Sequence, residues 1–157
     1  MLLLEEKKMK IVVVSDEIYP INFTVINWLK EKGFEVSMAG ALVDNPPEQS
    51  WVKAIQSAAL SLVNHEADEG IFFCWTGTGA SIIANRYKEI RAALCTDAET
   101  ARAARVWNHA NVLVLSNRLI SDDVAKEILA AWFDEYDKVK GQTGAKELTT
   151  AFYTNDK

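Results

Sequence analysis

The chain has 157 residues and a mass of 17.5 kDa, room for one ordinary domain and no second. Hydrophobic residues make up 49 % and charged residues 25 %, the balance of a soluble globular protein, which excludes intrinsic disorder and fibrous repeats. A net charge of −5 and a pI near 5.1 argue against a nucleic-acid binder, which needs a basic face for phosphates.

The opening MLLLEEKKMK (residues 1–9, then Lys10) reads as a frayed leader, with Met9 as an alternative start. Its three leucines are too few for a signal-peptide core, and no later apolar run approaches the span of a bilayer, so no membrane partner is expected. Lys10 to Ser15, KIVVVS, is a continuous β-branched run, the mark of a strand buried on both faces. Ile21 to Lys32 has helical spacing, Gly33 stops it, and Phe34 to Ala39 forms a second strand. A loop at Asp44 to Pro47 precedes a helix over Trp51 to Asn64, a third buried strand over Gly70 to Cys74, and a helix over Ser81 to Tyr87. Arg91 to Cys95, Asp97 to Trp107 and Asn111 to Leu115 repeat the alternation. A last helix is capped by Ser121 and carries Val124, Ile128, Leu129, Trp132 and Tyr136 at spacings of three and four.

Five apolar strands alternating with helices predict an α/β fold, a three-layer Rossmann-like sandwich around a five-stranded, mostly parallel sheet. The domain is expected over residues 10–140, with residues 141–157 as a polar, weakly patterned arm or loose tail. Ligands of such folds sit beyond the carboxyl ends of the strands, which singles out the loops after Ser15, Cys74 and Leu115. Arg91, Arg102 and Arg105 are available for a basic rim, although arginines on a helix are usually solvated or paired. His65 is placed to cap helix carbonyls, and Cys95 to fill core.

The densest motif is Phe73-Cys74-Trp75-Thr76-Gly77-Thr78-Gly79-Ala80-Ser81, at a strand-to-helix junction. Its glycines allow a tight turn and close backbone approach, and amides at the helix start can hold negative charge. Ile82 stands where a dinucleotide fingerprint needs a small residue, and neither a phosphate-loop GK[ST] nor a GxSxG elbow is present. What remains is a thiol at a strand end that can serve as base or nucleophile, or can simply close the core. With Cys74 and Cys95 outside any CxxC and only His65 and His109 beside them, no metal site is expected, and a reduced, cytoplasmic domain is.

GIFFCWTGTGASIIANR, followed by IRAALCTDAETARAARVWNHANVLVLSNRLI, resembles the ribose-5-phosphate isomerase type B and galactose-6-phosphate isomerase subunit family. The resemblance runs from about Lys10 to Phe133. It takes in KIVVVSDE, the Cys-x-Thr-Gly-x-Gly-x-Ser loop, the Ala-Asn-[Lys/Arg] helix, Arg-Ala-Ala and Asn-x-Ala-Asn-Val-Leu. It implies aldose–ketose isomerisation of a sugar phosphate through an enediolate, without metal or cofactor. By the same resemblance Cys74 is the base between C1 and C2, and Thr76 a hydroxyl near the sugar ring. Asp16 with its neighbour Glu17 meets sugar hydroxyls, and Arg118 lies near the phosphate. The amides of Gly77, Gly79, Ala80 and Ser81 are placed to steady enediolate charge. A homodimer or dimer of dimers is implied, the partner bringing Trp107, Asn108 and possible help from His109 to the Cys74 loop.

The departures fall in the site. Glu17 replaces the histidine of many members, Trp75 replaces a glycine, and Trp107 stands for the histidine credited with ring opening, which an indole cannot replace as a proton carrier. The C-terminal arginine-rich segment is missing, and with it much of the bidentate phosphate grip. The leading expectation is an isomerase with an altered substrate or phosphate site, suited to a more apolar or already open-chain substrate. The alternative is a non-catalytic sugar-binding paralogue or one subunit of a hetero-oligomer, with a generic flavodoxin-like binding domain third. The strand pattern further predicts Cys74 open to a cleft beneath loop amides, and Trp107, Asn108 and Arg118 clustered at one sheet edge.

Overall fold

In a computed structural model, which describes residues 4–153, the apolar runs form β1 (Lys10–Ser15), β2 (Glu35–Gly40), β3 (Glu69–Cys74), β4 (Ala92–Leu94) and β5 (Val112–Ser116). Every pairing is parallel, in the order β2-β1-β3-β5-β4. The central strands are buried on both faces, which is why they read as unbroken apolar runs rather than alternating ones. Intervening helices are α1 (Pro20–Glu31), α2 (Trp51–Val63), α3 (Thr78–Ala84), α4 (Ala98–Asn108) and α5 (Asp122–Phe133), with α6 (Gln142–Tyr153) last.

The period of two along each strand splits the core. Ile11, Val13, Ile71, Phe73, Leu113 and Leu115 turn toward α1, α4 and α5. Val12, Val14, Phe72, Cys74, Val112 and Val114 turn toward α2 and α3. The expected three-layer sandwich is therefore present. Among the described residues no helix is long and apolar enough to cross a membrane.

Several boundaries differ from expectation. The third helix begins at Thr78 rather than Ser81, because Gly77 takes a left-handed φ of 83° and turns the chain directly into the helix. It ends at Ala84, where the Asn85 side chain pairs with both backbone groups of Ala92, at 2.8 and 2.9 Å, and so leaves no room to reach Tyr87. Helix α5 stops at Phe133, since Asp134 is extended, and Tyr136 lies beyond it. The supposed loose tail is instead α6, seated where Gly141 lets its backbone meet Val106 and Trp107. Residues 1–3 of the leader and 154–157 of the tail lie outside the described residues; residues 4–9 have no regular structure.

The basic rim is also corrected. Arg105 is buried, bonded to Glu69 Oε1 at 2.6 Å and to the Ala110 carbonyl at 2.7 Å, and stacked on Trp132 and Tyr136. Arg91 is half-buried and spends its Nε on the His109 carbonyl at 2.8 Å. Only Arg102 is a surface charge, paired with Glu99 one helical turn away. His65 closes α2 with its backbone N–H on Leu62 O, at a left-handed φ of 58°. Cys95 is core, its thiol pushed up to about 12 by burial and by Asp97.

Candidate active site

Helix α1 leaves β1 for one face of the sheet and α3 leaves the neighbouring β3 for the other. Loops that diverge in this way open a crevice between two strand ends, the place where α/β sheets bind ligands. Ser15, Asp16 and Glu17 form one wall, and Cys74 to Ser81 form the other. The end of β5 joins them: the Asn117 N–H donates to Cys74 O at 2.9 Å, and the Arg118 N–H to Trp75 O at 3.2 Å.

This crevice is built on a buried polar latch that the sequence did not disclose. Asn22 donates to Asn117 Oδ1 at 2.8 Å, and Asn117 donates to Ser15 Oγ at 3.0 Å. The Ser15 hydroxyl in turn donates to the Glu17 carbonyl. All three side chains are buried, so each bond replaces water that cannot enter. The latch ties the ends of β1 and β5 to the start of α1 and fixes the chain entering Asp16.

Cys74 ends β3 with its Sγ accepting the Gly77 N–H at 3.1 Å, as the strand-loop-helix pattern predicts. It is not open to a cleft, however. Only 5 % of the residue is exposed, because the alternation of β3 turns it toward α2 and α3. Above it the Thr76 and Thr78 hydroxyls share a 2.7 Å hydrogen bond on the exposed side of the loop. The expected row of amide donors is shorter than anticipated. Gly77 spends its N–H on Cys74 and Ser81 bonds back to Gly77 O, while the N–H groups of Gly79 and Ala80 have no acceptor among the described residues. Gly79 is covered by Trp51, whose ring stands where a side chain at 79 would go.

On the opposite wall, Asp16 Oδ1 accepts the Glu17 N–H at 3.0 Å, and Glu17 Oε2 accepts the Tyr19 hydroxyl at 2.7 Å. Burial is the main cause holding the Asp16 carboxyl above the usual carboxylate range, with backbone hydrogen bonds opposing it. Arg118 is exposed and its guanidinium lies 5.7 Å from the Trp75 ring centre. Tyr19, Trp51 and Asn117 thus join the site without having been singled out for it, beside Trp75, which the sequence marked as a departure within it. The only available signal was position, since each sits within a few residues of a helix start or a strand end.

Trp107, Asn108 and His109 are elsewhere, which corrects the expectation that they cluster with Arg118. A crossover helix runs antiparallel to its strands, so the end of α4 lies at the start of β5 while Arg118 lies past its end. Gly70 pairs with Val112 and Cys74 with Ser116, so four strand residues, about 13 Å, separate the two groups within one chain. Trp107 and Asn108 are exposed and line a cavity of about 490 Å³ between β4 and α6. His109 caps α4 at a left-handed φ of 48°. Its ring stands edge-on to Tyr136, with Nε2 buried and unpartnered, so the helix end presents Trp107 and Asn108 outward and the imidazole inward.

Known proteins resemble this chain in sequence and in fold. A family model described as ribose/galactose isomerase matches residues 11–149. A ribose-5-P isomerase B from Listeria innocua is 33 % identical over 139 residues, covering 88 % of this chain and 92 % of that protein. A D-erythrulose-4-phosphate isomerase from Pectobacterium atrosepticum is 35 % identical over 115 residues, 71 % and 72 % of the two chains. The crystal structure of a ribose 5-phosphate isomerase from Thermotoga maritima superposes with a TM-score of 0.80 at 34 % identity, over 90 % of this chain and 97 % of that one.

Proposed function

The chain belongs to the ribose/galactose isomerase family, and from that premise we propose that it interconverts the aldose and ketose forms of a short, open-chain sugar phosphate, with Cys74 as the base. The observation that carries the reading is the position of Cys74. Its sulfur ends a central strand next to the β1–β3 strand ends, covered by a loop whose Thr76 and Thr78 hydroxyls are exposed.

The chemistry asks little beyond these groups. A thiolate at Cys74 takes the proton from the carbon beside the carbonyl and returns it to the neighbouring carbon, and the enediolate between these steps carries charge on oxygen. The unspent N–H groups of Gly79 and Ala80 and the Thr76 hydroxyl are the donors available for that charge. Asp16 and Glu17 supply acceptors for sugar hydroxyls, and Arg118 supplies a fork for phosphate. Because Cys74 is buried, substrate reaches Sγ only when the turn at Thr76 and Gly77 shifts aside, while Trp75 stays held from β5.

Trp107 narrows the substrate. A pentose 5-phosphate closes into a ring through its 4-hydroxyl and must be opened by proton transfer. A four-carbon sugar carrying phosphate on O4 has no such hydroxyl and stays open. An enzyme with an indole in place of a ring-opening imidazole suits the second kind, the kind named for the Pectobacterium relative. Because Trp107 and Asn108 lie at the far end of the sheet, they reach a Cys74 loop only on a second chain, which supports a homodimer. Two unpaired cysteines support a reducing, cytoplasmic setting.

The test is kinetic. We expect kcat/KM on D-erythrulose 4-phosphate to exceed that on ribose 5-phosphate. Equal or better turnover of the pentose overturns the open-chain reading, and failure to isomerise any sugar phosphate overturns the activity itself.

A further inference from the structure

We propose that Trp75 is a positioning residue, an exposed indole that holds the Arg118 guanidinium over the mouth of the crevice so that it meets the phosphate of an anionic polyol; the inference rests on the sugar-phosphate reading above. Trp75 follows Cys74 directly and is 52 % exposed, whereas a tryptophan serving as core, such as Trp132, is fully covered. Its carbonyl is held from β5 by two donors, the Ser116 hydroxyl at 2.9 Å and the Arg118 N–H at 3.2 Å. Its ring is held from α1, with the Tyr19 ring centre 5.7 Å away and tilted by 35°. An indole held in this way from two sides is a fixed surface at the strand end.

Arg118 rests on that surface, its guanidinium 5.7 Å from the ring centre. An exposed arginine otherwise samples many rotamers and must give up that freedom to bind an anion. A cation–π contact removes part of the cost beforehand, and preorganisation of this kind shows as affinity. At the other end of the same wall Tyr19 holds Glu17 by a 2.7 Å hydrogen bond. The line Glu17, Tyr19, Trp75, Arg118 therefore runs from an acceptor for hydroxyls to a cation for phosphate, across the strand end that carries Cys74. Its polarity matches a molecule with hydroxyls at one end and a phosphomonoester at the other.

Inorganic phosphate is the probe, titrated by calorimetry at low ionic strength into wild type, Trp75→Ala, Trp75→Phe, Arg118→Ala and the Trp75→Ala/Arg118→Ala pair. Trp75→Ala is expected to weaken phosphate binding about threefold to fivefold, the size of an exposed cation–π contact, and Trp75→Phe to restore most of it. In the Arg118→Ala background Trp75→Ala is expected to change nothing. With sugar phosphate, Trp75→Ala should raise KM while kcat stays within about twofold. The proposal falls if Trp75→Ala binds phosphate like wild type, if its effect persists without Arg118, if kcat carries the loss, or if wild type takes up no phosphate. Because the titration needs no turnover, a protein that binds phosphate through this coupled pair but isomerises nothing keeps this inference and loses the proposed reaction.

Discussion

The backbone N–H of Gly77 points at the Sγ of Cys74, 3.1 Å away and three residues earlier in the chain. That bond holds the thiol, the base proposed above, beneath the loop. Cys74→Ala should therefore abolish isomerisation, a loss of roughly 10² to 10⁴-fold for a general base. It should leave the fold intact, at a cost of about 1 kcal/mol. Steady-state turnover and thermal unfolding of the same preparation check both halves, and a mutant that keeps most of its activity assigns the base elsewhere.

The loop that holds Sγ depends on the conformation of Gly77. Its φ of 83° suits glycine alone, and an added Cβ would lie 2.5 Å from Leu94 Cδ1. Gly77→Ala should cost about 1–3 kcal/mol in urea unfolding and reduce activity through displacement of the loop. Gly79→Ala meets only the exposed Trp51 ring, at 2.6 Å, and should cost less because that ring can swing away. Equal penalties at the two positions would contradict this account.

The strands were legible because burial on both faces leaves only one kind of residue to write them with, and the Cys74 loop because its run of small and polar residues interrupts that pattern at a strand end. Other features were hidden for physical reasons. Helix α6 is rich in polar residues and is seated where Gly141 admits the backbone to Val106 and Trp107, a tertiary cause no window of sequence contains. Arg105 read as one member of a basic rim, and only its meeting with Glu69 across 36 residues makes it core. Trp107 and Arg118 flank the same strand in the chain, yet the antiparallel run of α4 puts them at its two ends. The latch through Ser15, Asn22 and Asn117 is assembled from a strand end, a helix start and a loop after another strand, and has no local signal.

The Glu69–Arg105 pair makes stability depend on pH in a defined direction. Burial pushes the Glu69 carboxyl above its ordinary value, while Arg105 and the Trp132 N–H draw it back. A carboxyl whose folded value is raised contributes fully to stability below its unfolded value near 4.5, and that contribution is lost as pH climbs through the folded value. Arg105→Met removes the main opposing charge, so it should cost about 3–5 kcal/mol at pH 8 and clearly less at pH 5. Urea unfolding at the two pH values decides it, and a loss that is constant, or larger at pH 5, removes Glu69 from the explanation.

Trp107 also offers a change of substrate. If the indole is what confines the enzyme to open-chain sugars, Trp107→His should raise the ratio of kcat/KM for ribose 5-phosphate over D-erythrulose 4-phosphate by at least about tenfold, the lower range of acid–base assistance. The ring of Trp107 carries Lys140 at 4.6 Å, a contact the histidine would weaken, so the ratio and not the absolute rate is the measure. An unchanged ratio would place the discrimination at the Cys74 loop instead.

The final prediction concerns the separation of the two residue groups. Within one chain, about 13 Å of β5 divides the Cys74 loop from the strand end where Asn108 lies, and no loop bridges that distance. If each site combines Cys74 of one protomer with Asn108 of another, Cys74→Ala and Asn108→Ala homodimers are each defective in both sites. A mixed dimer differs, because the Asn108→Ala chain contributes an intact Cys74 and the Cys74→Ala chain contributes an intact Asn108 to the same site. Random exchange of equal amounts should then restore about a quarter of wild-type turnover, since half of the dimers are mixed and each holds one complete site out of two. Co-refolding the two variants and assaying the mixture measures this directly. Activity no greater than the average of the parents would mean that each chain builds its site alone, and would remove Trp107 and Asn108 from the substrate's surroundings.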